Sequence, residues 1–486
     1  MRVARRPGAG AFARLVLGNL TASTFAPAAG PGDPTDGGEE PERTAILRGG
    51  TIVTMDPARP VGEALAIRGE TILDVGPLSE VKRHYTAATE IIDLAGHAVL
   101  PGFVEPHVRV LESALAMAGV AEEQAARLCE ERPEECAAHV ESALAELAKR
   151  GCTTVYDVAI GRMAGATEHR LLEALARAPD APVRVRGAFT PELAAELGAR
   201  PGGDERYAVV GVSYAVDGPL EACAAAVGEP YLNGRGSGAL LHEEHELREA
   251  LRPWHEAGWQ LVMRCDGDRA TEQALRCLEA LPSGTGGRVG DVRDGEGSAG
   301  GSAGRDADRL AVAVGVSHRI DHFAVVGDEQ IARAAALGVG VSHPINQVYF
   351  QGESLRDEVL GPERAAHLHS LCRDLEHGLV SSCHSSHGAA PADPCLALRT
   401  ATTRLMRGSD DVLGPFQQLT VEEALRTLTV NPARQMLLGD RVGALRPGML
   451  ADLVVLDRDP REVAPERLHE LRVIETWLGG RRRRWV

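Results

Sequence analysis

Residues 100–110 read "LPGFVEPHVRV", and this stretch anchors the interpretation of the whole chain. The apolar residues at its start indicate the end of a buried strand, and the residues after Glu105 indicate a polar turn that carries His107. Arg109 follows two positions later. Parallel β/α proteins present functional side chains at such turns, so comparable strand ends elsewhere in the chain are expected to meet this one.

Strand-like and helical segments alternate through the middle of the chain. Apolar runs such as "CTTVYDVAI", "WQLVMRCDGD" and "VSHRIDHFAV" follow or precede helical stretches such as "TEQALRCLEALP". Alternation at this spacing predicts parallel β/α units, and the length of residues 101–435 suits a (β/α)8 TIM-type barrel of the α/β class with insertions. A doubly wound open sheet is the alternative, but it gives no reason for the β-rich segments on both flanks.

The two flanks share a different pattern. Short apolar runs broken by Gly and Asp, as in "AILRGGTIVTMD", recur near the C-terminus in "GALRPGMLADLVVLDRDP" and predict hairpin strands. We expect residues 45–100 and 436–486 to form one small composite β-sandwich domain built from both chain ends. Residues 1–44 are predicted to be a disordered arm, and the Gly-rich residues 282–308 a flexible insertion in the barrel.

Composition limits the class of partner and the compartment. A net charge of −17 argues against a nucleic-acid partner, and without a run of about 18 apolar residues no membrane span is expected. Nine cysteines without a C-x-x-C pair indicate reduced thiols and a cytoplasmic location. An apolar stretch after Arg5 and Arg6, interrupted by Arg14, leaves export as an alternative. The basic run Arg481–Arg484 is interpreted as a strand end rather than an anion-binding patch.

If the middle of the chain is a barrel, the residues that follow its strands share one mouth. These strand-end residues are His107, Arg109, Asp157, Ser213, Arg264, Asp266, Asp268, Asp321, His322, His343, Cys383, His384, Ser386 and His387. Matches to G-x-G-x-x-G and G-x-S-x-G occur only at residues 295–300 and 300–304, inside the Gly-rich insertion and not after an apolar strand-like run, so nucleotide folds and serine hydrolases have no support. The mouth is therefore expected to be rich in imidazole, carboxylate and guanidinium groups.

Several motifs in one order identify the chain as similar to the amidohydrolase superfamily, in the branch of amidohydrolase type 3 and D-aminoacylase-like enzymes. They include "GGTIVTMDP", "LPGFVEPH", "GCTTVYDV", "RIDHFAV" and "LTVEEALRTLTVNPAR", within residues 45–480. The resemblance implies a distorted barrel with a β-domain from both chain ends. It also implies one or two divalent metals that activate water for attack on a non-peptide C–N bond.

The resemblance further implies six metal-ligand or catalytic positions, of which His107 and His322 are retained. The replaced positions carry Arg109, Ser213, Arg264 and, where the catalytic aspartate is expected, Ser386. Arginine has no lone pair to donate. At ~4 Å and an effective dielectric constant of ~20, a guanidinium is repelled by a divalent ion by about 8 kcal/mol. Either both arginines turn away or the family's metal centre is absent.

We therefore expect a barrel that has lost conventional metal catalysis and holds no cofactor. In this hypothesis Arg109 and Arg264 bind an anionic small molecule at the barrel mouth, because arginine forks fit carboxylate and phosphate groups. A degenerate site that binds nothing is the plainer version. The edges of the β-domain make a homodimer plausible, and the identity of the ligand or substrate is not encoded in any motif.

The second hypothesis is an active hydrolase with a rebuilt site for one zinc ion. Its candidate ligands are His107, His322, His384, His387, Cys383 and Asp268. Catalytic zinc needs three protein ligands and an open position, so convergence of three of these side chains would favour it. A third hypothesis uses Cys265 or Cys383 as a nucleophile beside a histidine.

Overall fold

The computed structural model describes residues 43–232, 234–282, 318–385, 392–409 and 411–485. The arm expected for residues 1–44 lies outside the described residues except for Arg43 and Thr44. The flexible insertion expected for residues 282–308 lies outside them except for Pro282.

The strands of both sheets are numbered along the described chain. They are β1 (Thr44–Val53), β2 (Val61–Arg68), β3 (Thr71–Gly76), β4 (Glu90–Asp93), β5 (Ala98–Pro101), β6 (Phe103–Val108), β7 (Cys152–Ile160), β8 (Arg184–Phe189), β9 (Gly202–Gly203), β10 (Tyr207–Ala215), β11 (Gln260–Cys265), β12 (Arg319–His322), β13 (Gly340–His343), β14 (Ser381–Cys383), β15 (Leu453–Leu456), β16 (Val473–Leu478) and β17 (Arg481–Arg484).

The helices connect these strands. They are α1 (Leu78–Val81), α2 (Val110–Met117), α3 (Ala125–Glu131), α4 (Pro133–Lys149), α5 (Gly165–Ala176), α6 (Pro191–Leu197), α7 (Glu244–Glu256), α8 (Asp268–Glu279), α9 (Asp328–Ala336), α10 (Asn346–Ser354), α11 (Pro362–Ala366), α12 (Leu371–Glu376), α13 (Pro394–Thr403), α14 (Val421–Leu428) and α15 (Val430–Gln435). None of the described helices combines the length and the apolar composition needed to cross a membrane.

Eight parallel strands form the barrel and confirm the predicted fold class. Their hydrogen-bonded order is β6, β7, β8, β10, β11, β12, β13 and β14, and the short β9 pairs with β10. Within the described chain no ladder joins β14 to β6. The gap is bridged instead by Ser385, whose backbone N–H and hydroxyl donate to the buried carboxylate of Glu105 at 3.2 and 2.9 Å. The barrel is thus nearly closed, which brings the ends of its first and last strands together.

Helices α14 and α15 and the residues after them cover one end of the barrel interior. Thr420 and Glu423 form a capping box that starts α14, and such caps contribute about 1 kcal/mol. Ala433 and Met436 then pack with inward-facing residues of the barrel strands. Gln435 donates to the carbonyl oxygen of Val341 at 2.7 Å, so this segment fixes the lower part of β13.

The flanking domain is composed of both chain ends, as predicted. Its eight strands form one mixed sheet in the order β17, β16, β15, β5, β1, β2 and β3, with β4 paired to β1. The join between the two ends is the antiparallel pairing of β5 with β15, from Pro101 opposite Leu453 to Ala98 opposite Leu456. The core of this sheet includes buried Leu47, and β5 ends at Pro101 just before the barrel strand β6 begins.

The basic run forms the edge strand β17, in agreement with its interpretation as a strand end. Arg482 and Arg484 both pair with the carboxylate of Glu475 on the neighbouring strand. Arg481 donates to the carbonyl oxygen of Pro179 at 2.7 Å, and Arg483 donates to that of Asp180 at 2.6 Å. Arg481 and Arg483 therefore fasten the flanking sheet to the barrel.

One disulfide corrects the expectation that all nine thiols are reduced. Cys129 near the end of α3 is bonded to Cys136 in the first turns of α4, and their Cα atoms lie 5.3 Å apart. The other seven cysteines, all among the described residues, form no disulfide. The pairing depends on how two consecutive helices meet, which the spacing of the cysteines does not encode.

Candidate metal centre

Three imidazoles converge at the carboxyl ends of the first, sixth and eighth barrel strands. His107, His322 and His384 each offer a ring nitrogen, and these three atoms lie within 4.8 Å of one another. The ring centroids of His107 and His384 are 4.6 Å apart and stacked, and that of His322 lies 5.0 Å from His107. These residues are called the histidine group below.

A buried carboxylate orients the first member of the group. Nδ1 of His107 lies 2.8 Å from Oδ2 of Asp321. An ionised carboxylate can only accept, so Nδ1 carries the hydrogen and Nε2 keeps the lone pair. Asp321 also accepts from Arg319 at 2.8 Å and from the hydroxyl of Ser342 at 3.0 Å. The network fixes both the ring and its tautomer, as the carboxylates behind metal-bound histidines do.

The second member has the same support from another strand. Nδ1 of His322 lies 3.0 Å from Oδ1 of Asp266, which follows β11. His322 also has a φ of 76°, in the left-handed region that residues with a side chain seldom adopt. Strained conformations of this kind cost about 1–3 kcal/mol and occur at functional sites. The backbone at His322 is therefore held against its own preference.

The third member follows the last strand of the barrel. His384 is buried, and its backbone N–H donates to the carbonyl oxygen of His343 at 2.9 Å. Ser386 and His387, proposed as the aspartate position and as an alternative ligand, lie outside the described residues. Among the described residues it is thus His384 that the eighth strand contributes to the group.

Burial sets the charge state of the group. It lowers the pKa of His107 to about 4, against the opposing effect of the Asp321 hydrogen bond, and it lowers the pKa of His384 well below its usual value. Burial opposes ionisation of Asp321, but Arg319 and the His107 hydrogen bond hold its pKa well below the usual range. Neutral imidazoles backed by an ionised carboxylate are the protonation states that metal binding requires.

The guanidinium of Arg109 is paired with a carboxylate outside the histidine group. Arg109 directly precedes α2, and Nη1 contacts the carboxylate of Glu112 one turn further along, at 3.4 Å. Glu112 also pairs with Arg162 at 2.8 Å. Of the two outcomes open for this arginine, the structure supports the one in which its charge is neutralised locally.

The two replaced positions on the fourth and fifth strands are also occupied by local contacts. Arg264 donates to the carbonyl oxygen of Asp217 at 2.6 Å, and its Nε lies 3.9 Å from Oδ2 of Asp266. Ser213 lies half-buried on β10, opposite Val262 in the ladder. Neither residue belongs to the histidine group, and the structure does not bring Arg264 and Arg109 onto a shared acceptor.

The remaining candidates have structural roles or unsuitable surroundings. Asp268, an alternative ligand, accepts from the N–H groups of Gly228 at 2.8 Å and of Arg269 at 3.0 Å. Burial raises the pKa of Cys265 well above its usual value and that of Cys383 to about 12. A nucleophilic cysteine needs an accessible thiolate, so these two thiols do not support the third hypothesis.

Three supporting residues have no assigned role in the sequence interpretation. Asp321 and Asp266 were recognised only as strand ends, and Arg319 was not singled out. An acid next to a histidine in "RIDH" is a weak local signal. It does not reveal that Asp321 supports His107, 214 residues away in the sequence, rather than its neighbour His322.

Known proteins resemble this chain in sequence over parts of its length. A family model described as "Amidohydrolase family" matches residues 108–483. The chain is 32% identical over 171 residues to an N-substituted formamide deformylase from Arthrobacter pascens, and 25% identical over 269 residues to the putative amidohydrolase YtcJ from Bacillus subtilis (strain 168). These matches cover 33% and 54% of this chain but only 30% and 45% of those proteins, less than half of their length.

Solved structures share the fold at low sequence identity. An uncharacterized metal-dependent hydrolase from Pyrococcus horikoshii OT3 has a TM-score of 0.70 and 20% identity, and the match covers 87% of this chain and 99% of that one. A triazine hydrolase from Arthobacter aurescens has a TM-score of 0.59 and 17% identity, covering 91% and 94%. The architecture of barrel and flanking sheet is therefore common to all three.

Proposed function

The chain belongs to the amidohydrolase family, and from that premise we propose that it is a metal-dependent hydrolase of a non-peptide C–N bond with one divalent ion. The ion is held by His107, His322 and His384. The observation that carries the proposal is the convergence of these three ring nitrogens within 4.8 Å. It favours the second of the two leading hypotheses drawn from the sequence.

The donor set fits a borderline divalent metal such as zinc. Three imidazoles with one open position form a known type of catalytic zinc site. In a tetrahedral site with bonds of ~2.1 Å the ligand nitrogens lie about 3.4 Å apart, so zinc binding requires the rings to close from separations of up to 4.8 Å. The hydrogen bonds of Asp321 and Asp266 fix two of the rings with Nε2 available. A carboxylate behind the histidine is the usual support of such ligands.

A metal bound there supplies a Lewis acid that polarises a carbonyl group and activates water. The protein itself supplies orientation and charge. Asp321 holds the hydrogen on Nδ1 of His107, and Arg319 keeps Asp321 ionised from a fully buried position. Asp266 likewise holds the hydrogen on Nδ1 of His322. The burial of His107 and His384 excludes water from the side of the rings that faces the protein.

The alternative of an anion-binding barrel without metal has weaker support. It requires Arg109 and Arg264 to share a ligand, yet each has an internal acceptor, Glu112 for one and the carbonyl oxygen of Asp217 for the other. Recruiting them would break both contacts. We therefore place the site's chemistry in the histidine group.

The decisive experiment is the metal content of purified protein after dialysis against trace zinc, by elemental mass spectrometry. About one equivalent per chain is expected for the wild type, and very little for His384→Ala. The matched control is His367→Ala, which removes an exposed imidazole that contacts Phe416 and should leave the metal content unchanged. Less than about a tenth of an equivalent in the wild type would contradict the proposal.

Hydrolysis is tested separately on the zinc-loaded protein. N-substituted formamides are the first substrate class to try, because a relative with a match to this chain carries that activity in its name. Release of the amine is measured with and without a chelator. If the protein binds metal but hydrolyses neither these nor other small amides, the proposed metal site stands and the proposed hydrolysis of a C–N bond is wrong.

A further inference from the structure

A cavity separate from the histidine group is lined by helices α10 and α13 and by the loop after α13. Its volume is about 320 Å³. The lining residues are Tyr349, Arg399, Met406, Arg407, Gly408 and Ser409. They include two arginines and no carboxylate, and none of them belongs to the histidine group.

Arg399 has donor capacity that its surroundings do not use. Its Nε donates to the carbonyl oxygen of Glu466 at 3.1 Å, but Nη1 is buried without a hydrogen-bond partner among the described residues. Its guanidinium lies 5.3 Å from the centroid of the Tyr349 ring. Stacking on an aromatic face holds a guanidinium while its N–H groups, which lie in the plane, stay free to donate.

Arg407 is placed in the same way on the next aromatic residue. Its guanidinium lies 5.8 Å from the centroid of the Phe350 ring, and its backbone N–H donates to the carbonyl oxygen of Tyr349 at 2.8 Å. Within the described residues Arg407 has no ion pair, and the hydroxyl of Tyr349 has no hydrogen bond. Two guanidinium groups without ion pairs and one phenol without a hydrogen bond, as far as the described residues show, therefore line one cavity.

Nearby acids do not neutralise this pair of arginines. Asp411 is already paired with Arg356 at 3.0 Å. The carboxylate of Glu353 lies 3.9 Å from where a Cβ would stand on Gly408, yet it forms no ion pair with Arg407 within the described chain. Among the described residues neither arginine has a carboxylate partner, so within that part of this protein of net charge −17 the pair is a local excess of positive charge.

We propose that this cavity binds a small molecule carrying a phosphate dianion, gripped between Arg399 and Arg407 with the Tyr349 hydroxyl as third donor. Two guanidinium charges match a group that carries about −2 at neutral pH, and arginine forks fit its oxygens. A cavity of about 320 Å³ holds more than the phosphate alone, so the group belongs to a compact phosphate monoester. The acidic surface of the protein disfavours a long polyanion.

The test is calorimetric titration of the full-length protein at low ionic strength with inorganic phosphate and with glycerol phosphate. Saturable binding of both is expected, at least ~10-fold weaker in Arg399→Gln and in Arg407→Gln. The matched control is Arg127→Gln, which removes a surface arginine paired with Glu131 and should bind like the wild type. Absence of saturation by the wild type up to about 10 mM, or binding by both cavity variants as tight as that of the wild type, overturns the proposal.

Two variants distinguish binding in this cavity from binding at the histidine group. Arg407 is exposed, so Arg407→Gln should fold normally and its result cannot be attributed to unfolding. His384→Ala should keep its affinity for phosphate, because the histidine group is a different site. Loss of phosphate binding in His384→Ala together with retention in Arg407→Gln would place the anion on the histidine group and reject the cavity.

Discussion

The histidine group and the positions on β10 and β11 lie at the same end of the barrel strands but are built differently. On the first, sixth and eighth strands, imidazoles converge, and two of them rest on buried carboxylates. On the fourth and fifth strands, Ser213 takes no part, and Arg264 binds the carbonyl oxygen of Asp217. The mouth thus has convergent imidazoles on one side, where we propose one metal, and local contacts on the other.

Both arginines at replaced positions lie beside buried carboxylate pairs. Burial and the neighbouring Asp266 raise the pKa of Asp217 to about 7, and Arg264 lies next to both acids. Burial raises the pKa of Asp157 to about 6, and the charge of Arg109 opposes that rise. A cation is useful in such places, since two carboxylates in a low-dielectric interior repel each other. The charges of Arg264 and Arg109 thus act against the effect of burial, which by itself raises the pKa values of Asp266 and Asp157.

The largest expected effect comes from removing a member of the histidine group. His107→Ala leaves two imidazoles, and the zinc affinity should fall by more than about 100-fold, beyond the 10–100-fold typical of supporting residues. Zinc-dependent turnover should fall to the background level. Competition with a chromogenic chelator measures the affinity. A variant with unchanged affinity would move the metal away from the histidine group.

A smaller loss is expected when the support behind a ring is altered. Asp321→Asn keeps an acceptor oxygen but removes the negative charge shared by His107, Arg319 and Ser342. Zinc affinity should fall by about 10–100-fold. Asp268→Asn is the matched control, because that carboxylate binds backbone N–H groups away from the histidines. Equal affinities for these two variants would mean that Asp321 does not act through His107.

The third prediction concerns the pH dependence of stability and the buried carboxylates of Glu168 and Asp157. Burial and the Asp157 charge raise the pKa of Glu168 from 4.5 to about 8. The folded state then holds a proton that the unfolded state has released, so this contribution to stability is present below pH 4.5 and is lost as pH rises towards 8. Glu168→Gln stays uncharged and should lose less stability between about pH 5 and 9 than the wild type.

Urea unfolding at both pH values measures this difference. Each unit of pKa shift corresponds to about 1.4 kcal/mol, so a difference on the order of 1 kcal/mol or more is expected. Glu173→Gln, on the same helix but paired with Arg177 at the surface, serves as control. Parallel pH profiles for Glu168→Gln and the wild type would contradict the buried, raised pKa.

The smallest effect is expected from restoring one lost ligand. Arg109→His alone should not create a second metal site, because Ser213 and Arg264 still occupy the other side of the mouth. Metal content should remain near one equivalent per chain, with no gain in turnover. A second equivalent of zinc in this variant would show that the two sides of the mouth differ less than their contacts indicate.

The fold was readable from the sequence because its signals are local. Strand–helix alternation through residues 101–435 and hairpin patterns on both flanks predicted a barrel and a composite β-domain, and both are present. The pairing of Cys129 with Cys136 was missed, since it arises from the junction between two helices. The domain boundaries themselves, the homodimer and the cytoplasmic location remain predictions.

The site was only partly readable. His107 and His322 followed from the resemblance, whereas His384 was one alternative ligand among several. The sequence does not show where a long, flexible side chain points. Only the fold reveals that Arg109 contacts Glu112 and that Arg264 donates to the carbonyl oxygen of Asp217. The carboxylate supports are equally hidden, because they join strands that are far apart in the chain.

The pairing of β5 with β15 has a consequence for the time course of folding during synthesis. The two strands are separated by about 350 residues, so β5 waits for its partner while the whole barrel is made. At about 5–20 residues per second, that delay is roughly 20–70 s. Throughout it, the edge of β5 that later binds β15 is open to wrong partners. Slow translation or a nonsense codon after the barrel would therefore expose the newborn chain to aggregation rather than merely shorten it.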